Sequence, residues 1–107
     1  MTQSSKKKTN IKRWKAKESF VYMFDLGFDN LYKIGHTREW RQRLAKLSAA
    51  NPRLSVVAVA VVHNKHHIEK AIHQRLKSRR VERELFELDN PAGVIEMMNQ
   101  YGRVVYP

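Results

Sequence analysis

Between Phe20 and Leu47 the chain reads FVYMFDLGFDNLYKIGHTREWRQRLAKL. If this stretch folds as two strands, a turn and a helix, four of its side chains can meet at one point: Tyr22, Lys33, His36 and Arg43. A carboxylate, Glu69, follows on the next helical pattern. A phenol, an amine, an imidazole, a guanidinium and a carboxylate are the groups that metal-assisted cleavage of a phosphodiester requires. Such a site needs a group to take a proton, cations to hold the phosphate, and an acid to hold a divalent metal.

The elements that must position these groups follow from apolar spacing. Val21 to Leu26 is nearly all apolar, which predicts a central strand buried on both faces. Gly27, Phe28, Asp29 and Asn30 form a turn, and Leu31 to His36 is the returning strand. Alternation along that strand puts Tyr32 and Ile34 on one face and Lys33 and Gly35 on the other. Gly35 removes bulk beside Lys33 and admits a close neighbour. Thr37 is the expected N-cap of a helix over Arg38 to Ala50. In that helix Trp40, Leu44 and Leu47 make the core stripe, and Arg43 lies at the edge of the stripe. Leu54 to Val62 is the longest β-branched run and predicts a third strand, paired beside the first so that the first is central.

Farther on, His66 to Arg79 reads as a helix with Ile68, Ile72 and Leu76 as its spine. Glu69 and His73 share one flank of that spine. Val81 to Leu88 is a short extended segment over the core. Asp89 or Asn90 then caps a last helix, with Pro91 in its first turn and Val94, Ile95, Met97 and Met98 buried. The expected fold is therefore α+β: a small, three-stranded, mainly antiparallel sheet flanked by helices. Residues 19–107 form the domain, and residues 1–18 a basic N-terminal arm.

The chain has 107 residues, a size that suits one domain with a modest core. Lys and Arg number 21 against 10 Asp and Glu, a formal net charge of +11. That balance points to a polyanionic partner, most often nucleic acid. Absence of cysteine excludes a disulfide framework and a cysteine-based zinc site. No apolar run reaches the roughly 20 residues of a membrane span, and no apolar signal core opens the chain, so an intracellular protein is expected. The arm carries Lys6, Lys7, Lys8, Lys12, Arg13, Lys15 and Lys17 and no acid. It reads as a phosphate-binding arm, with a solubilising tail as the alternative. Trp14 inside it can stack on a base. Arg38 and Arg41 are further candidates for phosphate contacts.

The order VYM, KIGHT, an arginine eight residues past Gly35, and ExxxH on a later helix resembles the GIY-YIG endonuclease superfamily. The similarity is to its branch with KIG in place of YIG, common among phage-encoded proteins. The likeness covers roughly residues 19–99, with Glu84 to Phe86 resembling a late acidic and aromatic segment. Two departures stand out: Phe20 where the first motif has glycine, and Lys33 in place of a tyrosine. The resemblance implies a metal-dependent DNA endonuclease acting in a bacterial host. In that reading Tyr22 is the general base, assisted by Lys33, whose charge lowers the phenol pKa. Arg43 clamps the phosphate, His36 relays a proton, and Glu69 is the sole protein ligand to Mg2+ or Mn2+. One constellation per chain implies nicking by a monomer, with a dimer as the alternative, and RNA is the alternative substrate. The plainer readings are a core tyrosine, solvated cations, a surface Glu69 paired along its helix, and a solvated loop at His63, His66 and His67. At the level of function the alternative is a catalytically inactive nucleic-acid-binding or regulatory protein on the same fold.

Deleting residues 1–17 is expected to weaken DNA binding and flatten its salt dependence. Each lost phosphate contact lowers the log–log slope by about 0.9, so a partly engaged arm gives a change of about 2 to 4. An unchanged slope places the arm off the nucleic acid.

Overall fold

The computed structural model describes residues 19–63 and 65–107, except for the side chains of Lys65 and His66. The expected basic arm lies outside these residues. At the centre is β1, Ser19–Asp25, whose residues Val21, Tyr22, Met23 and Phe24 are all buried. A strand with apolar side chains on both faces needs neighbours on both edges and a layer above and below. β2, Leu31–Thr37, pairs antiparallel on one edge, with Tyr22 opposite Gly35. β3, Ser55–Val62, pairs antiparallel on the other, with a register shift between Met23 and Phe24.

Among the described residues the sheet has six strands rather than the expected three, because short segments extend both edges. The expected extended segment is a hairpin of β4, Arg80–Glu82, and β5, Leu85–Glu87, and β5 pairs with β2. On the far side β6, Arg103–Tyr106, pairs with β3. The order is β4-β5-β2-β1-β3-β6, antiparallel at every pairing. Strands of three or four residues are too short to show a period of two, so pairing partners rather than local pattern create them.

Helices cover both faces. On one, α1, Trp40–Ala50, lays Trp40, Leu44 and Leu47 over Tyr22, Phe24 and Val59. On the other, α2, Lys65–Arg75, and α3, Ala92–Tyr101, bury Ile68, Ile72, Val94, Met97 and Met98 against Val21, Met23, Ile34, Ala58 and Ala60. Thr37 ends β2 and does not cap α1 directly. Its hydroxyl accepts from the Glu39 amide at 3.3 Å, and the helix begins at Trp40. α2 stops at Arg75, and a 3-10 turn over Lys77–Arg79 carries the chain toward β4. The Asn90 side chain accepts from the Ala92 amide at 2.9 Å at the start of α3.

The β1–β2 turn depends on left-handed backbone. Gly27 has φ +87, and Asp29 and Asn30 follow at φ 53 and 54, a region that short polar side chains tolerate. A Cβ on Gly27 would sit 2.6 Å from the Arg53 Cβ. Gly27→Ala is expected to lower unfolding free energy by about 1–3 kcal/mol in a denaturant titration, through the positive φ and this contact together. No loss would mean that the turn relaxes freely.

Candidate nucleic-acid site

On the α1 face of the sheet the side chains of Tyr22, Lys33, Arg43 and Glu84 come together. Tyr22 leaves β1 toward α1 and is wholly buried, its ring stacked on Phe24 at 4.3 Å. Its hydroxyl donates to Glu84 Oε1 at 3.1 Å and accepts from Arg43 Nε at 3.4 Å. Lys33 Nζ lies 3.7 Å from the same Glu84 oxygen. Arg43 reaches the phenol because the edge of the α1 apolar stripe overhangs β1, as its position beside Leu44 implies.

Glu84 arrives through the hairpin of β4 and β5. Its carbonyl accepts from the Ile34 amide at 2.9 Å, which fastens the turn onto β2. Arg83 takes φ 37 just before it, and the Arg83 carbonyl accepts from Arg80 Nε at 2.6 Å. Gly35 makes the room. A Cβ there would lie 2.5 Å from Glu84 Oε1 and 2.7 Å from the Tyr22 oxygen. The sequence places Gly35 beside Lys33 on an open face, and the group that comes close to it is the Glu84 carboxylate.

The five residues expected to meet do not all do so. His36 and Glu69 pair with each other, Nδ1 donating to the carboxylate. They do so on the side of the sheet covered by α2, away from Tyr22 and Arg43. Strand alternation is the cause. His36 is one residue past Gly35 and shares its face with Tyr32 and Ile34, and Glu69 stands on the helix that packs there. Glu69 thus reaches from its helix to β2 and pairs with His36. Glu84 takes the place beside the phenol that was expected for Glu69. Its signal in the sequence was the ELF segment, but only the pairing of β5 with β2 brings it in.

Both groups flank one stretch of strand edge. β5 pairs with β2 over Leu31 to Lys33, and Glu84 extends the contact to Ile34. Past Ile34 no strand pairs with that edge of β2 among the described residues. Backbone groups two apart on a strand point the same way, so the His36 amide and carbonyl face this edge, as those of Ile34 do. Tyr22, Glu84 and Arg43 lie on one side of it, and His36 and Glu69 on the other.

The electrostatics of Tyr22 run against the expected lowering of its pKa. Burial pushes the phenol above its ordinary value of 10. The Arg43 hydrogen bond pulls it down and the Glu84 charge pushes it up, leaving a net rise. Lys33 is engaged with Glu84 instead of the phenol. Arg43 is raised in turn, mainly by its hydrogen bond to Tyr22.

The remaining candidates are scattered. Arg38 and Arg41 are exposed, and the Arg41 guanidinium lies 4.5 Å over the Trp40 ring. Lys6, Lys7, Lys8, Lys12 and Arg13 lie outside the described residues. His63 and His67 are exposed, and no group of three metal-binding side chains occurs among the described residues. His73 packs its ring on Phe86 at 5.3 Å, with a buried Nε2 that has no hydrogen-bond partner. It faces the core rather than supporting Glu69.

Comparison with protein families finds a match to the T5orf172 domain over residues 19–102. The chain belongs to the T5orf172 domain family. The match spans β1 through α3, every element that builds the site. The resemblance to GIY-YIG endonucleases is corrected accordingly: the matching family is a different one, and no GIY-YIG family matches. The departures at Phe20 and Lys33, and the separation of Glu69 from Tyr22, fall on the motif positions that carried the likeness. T5orf172 is a nuclease-associated, DNA-binding type of domain, which is consistent with a nucleic-acid-related function. No curated protein and no solved structure matches the chain. Among the described residues no helix is long and apolar enough to cross a membrane.

A raised phenol pKa has a measurable consequence. In a spectroscopic pH titration, Tyr22 is expected to ionise later than a free tyrosine, and Tyr22→Phe removes that late component. Tyr32, also raised by burial, keeps its own. The folded state holds the Tyr22 proton more tightly than the unfolded state does. Its stabilising contribution is therefore complete below about pH 10 and is lost as pH rises through the folded pKa. Wild type should lose stability more steeply than Tyr22→Phe above that pH. Equal slopes would place the hydroxyl in solvent.

Proposed function

We propose that this domain binds the DNA backbone at the Tyr22, Lys33, Arg43 and Glu84 cluster and hydrolyses a phosphodiester there with a divalent cation. The observation that carries this reading is the meeting of two cations, a phenol and a carboxylate over Gly35, beside a stretch of β2 edge that no described strand pairs. Arg43 and Lys33 supply the charge that neutralises a phosphate, and the planar guanidinium can also fix its orientation. Mg2+ commonly binds through one or two carboxylates and the substrate's own phosphate oxygens, and Glu84 is the carboxylate on the same face as Tyr22, Arg43 and Lys33, whereas Glu69 pairs with His36 on the other face. When bound, the cation supplies Lewis acidity and a second charge against the phosphate.

The Tyr22 hydroxyl is aimed at the Glu84 carboxylate, and Arg43 donates to its oxygen. This chain of hydrogen bonds gives the phenol proton an acceptor. With its own proton passed to Glu84 Oε1, the Tyr22 phenolate, held by the Arg43 hydrogen bond, would accept the proton of the attacking water. One cluster per chain supports cutting one strand at a time, so that an open circle forms before linear DNA. The engagement of Glu84 by both Tyr22 and Lys33 favours a second reading, in which the cluster binds phosphate and does not cleave.

Incubation of supercoiled plasmid with the protein and Mg2+ or Mn2+, against EDTA, separates these readings. Metal-dependent nicking is expected in wild type. Glu84→Gln should abolish it while preserving binding, and Arg43→Ala should cost on the order of a hundredfold in rate. Cleavage lost in Glu69→Gln but retained in Glu84→Gln would return the acidic role to Glu69. Binding that depends on Arg43 without any cleavage would establish the binding-only reading.

A further inference from the structure

A cleft of about 370 Å³ opens beside the cluster, between the end of α1, β2 and the β4–β5 hairpin. That volume falls in the range of roughly 300–1,000 Å³ typical of small-molecule sites. Its walls are the half-buried leucines Leu26, Leu47, Leu54 and Leu85, and Ala50 stands at its rim. Lys33 and Glu84 belong both to this cleft and to the phosphate-binding cluster. Asn51, Glu82 and Arg83 complete the polar lining.

Resting on the phosphate-binding reading above, we infer that the cleft takes an unpaired nucleobase of the DNA strand whose phosphate lies on Arg43 and Lys33. Apolar walls with a few polar groups at the mouth suit a flat, largely apolar ring with hydrogen-bonding edges. Lys33 and Gly35 are two residues apart on one strand face, roughly 7 Å, so the cleft is one side chain's reach from the phosphate position. The Glu82 carboxylate can accept from an exocyclic amino group, and the Arg83 guanidinium can meet a neighbouring phosphate. A base in an intact duplex cannot enter without being unstacked and unpaired, which costs energy that a bulge, flap or single strand has already met. The preferred substrate class is therefore DNA with an unpaired nucleotide at the contacted phosphate, and uninterrupted duplex is the poorer ligand.

Fluorescence anisotropy in EDTA tests this with the full chain and three DNA probes: a paired duplex, the same duplex with a one-nucleotide bulge, and that bulge with its base removed to leave an abasic site. Wild type is expected to bind the bulge at least about tenfold more tightly than the abasic version, the scale of one buried base contact. Ala50→Trp, which fills the cleft from an exposed rim position, is expected to bring that ratio to one. Equal binding of bulge and abasic probes by wild type overturns the inference and leaves the phosphate site standing. A base preference that survives Ala50→Trp also overturns it, by placing the base elsewhere. If none of the three probes binds, the phosphate-binding reading falls and takes this inference with it. Arg43→Ala, expected to weaken all three alike, reports on the phosphate contact alone.

Discussion

The site depends on a side chain that is missing. Gly35 lies opposite Tyr22 across the β1–β2 pair, and the space its Cβ would occupy holds the Glu84 carboxylate and the Tyr22 hydroxyl. Any larger residue would displace the Glu84 carboxylate and drive the two oxygens apart. The hairpin is held by the Ile34 amide to the Glu84 carbonyl, three paired positions between β2 and β5, the Leu88 amide to the Asn30 carbonyl, and the Arg79 to Asp89 ion pair at its base. Wholly buried Phe86 anchors β5 in the core, so the contact over Gly35 is met by the turn at Arg83 and Glu84 and sets whether the acid reaches the phenol.

Burial of the phenol follows from the same geometry. β1 is central, so whatever it presents to α1 is taken out of water. Tyr22 satisfies its hydroxyl with one acceptor and one donor, as a buried polar group must. The protonated phenol, the Glu84 charge and the flanking Arg43 and Lys33 leave the cluster with one net positive charge. That charge stands over a floor made by the buried phenol ring and Phe24.

The sheet divides the chemistry into two parts. His36 and Gly35 are neighbours in sequence, yet they serve opposite faces, and so the imidazole is tied to Glu69 over α2 while the phenol is tied to Glu84 under α1. Among the described residues no strand pairs with the edge of β2 past Ile34, and the two groups flank it on opposite faces. A strand laid along that edge would meet backbone hydrogen-bonding groups of His36 as well as the side chains on each side.

Much of this was determined by the sequence alone. The apolar run of β1, the turn residues after it, the β-branched run of β3 and the spacing of Trp40, Leu44 and Leu47 specify the three central strands and α1, because burial enforces a period of two or 3.6 over seven or more residues. The same periods placed Lys33 and Gly35 on one face and Arg43 at the edge of its helix stripe, so three members of the cluster were legible with Tyr22. The excess of cations pointed to a polyanion without reference to fold. The choice of carboxylate was decided only by tertiary structure. Glu69 and Glu84 are both plausible acids along the chain, and nothing local separates them. Which of them meets Tyr22 is settled by the face on which α2 packs and by the pairing of three-residue strands at the sheet edge. Those are long-range contacts, and their partners leave no periodic mark on the residues themselves.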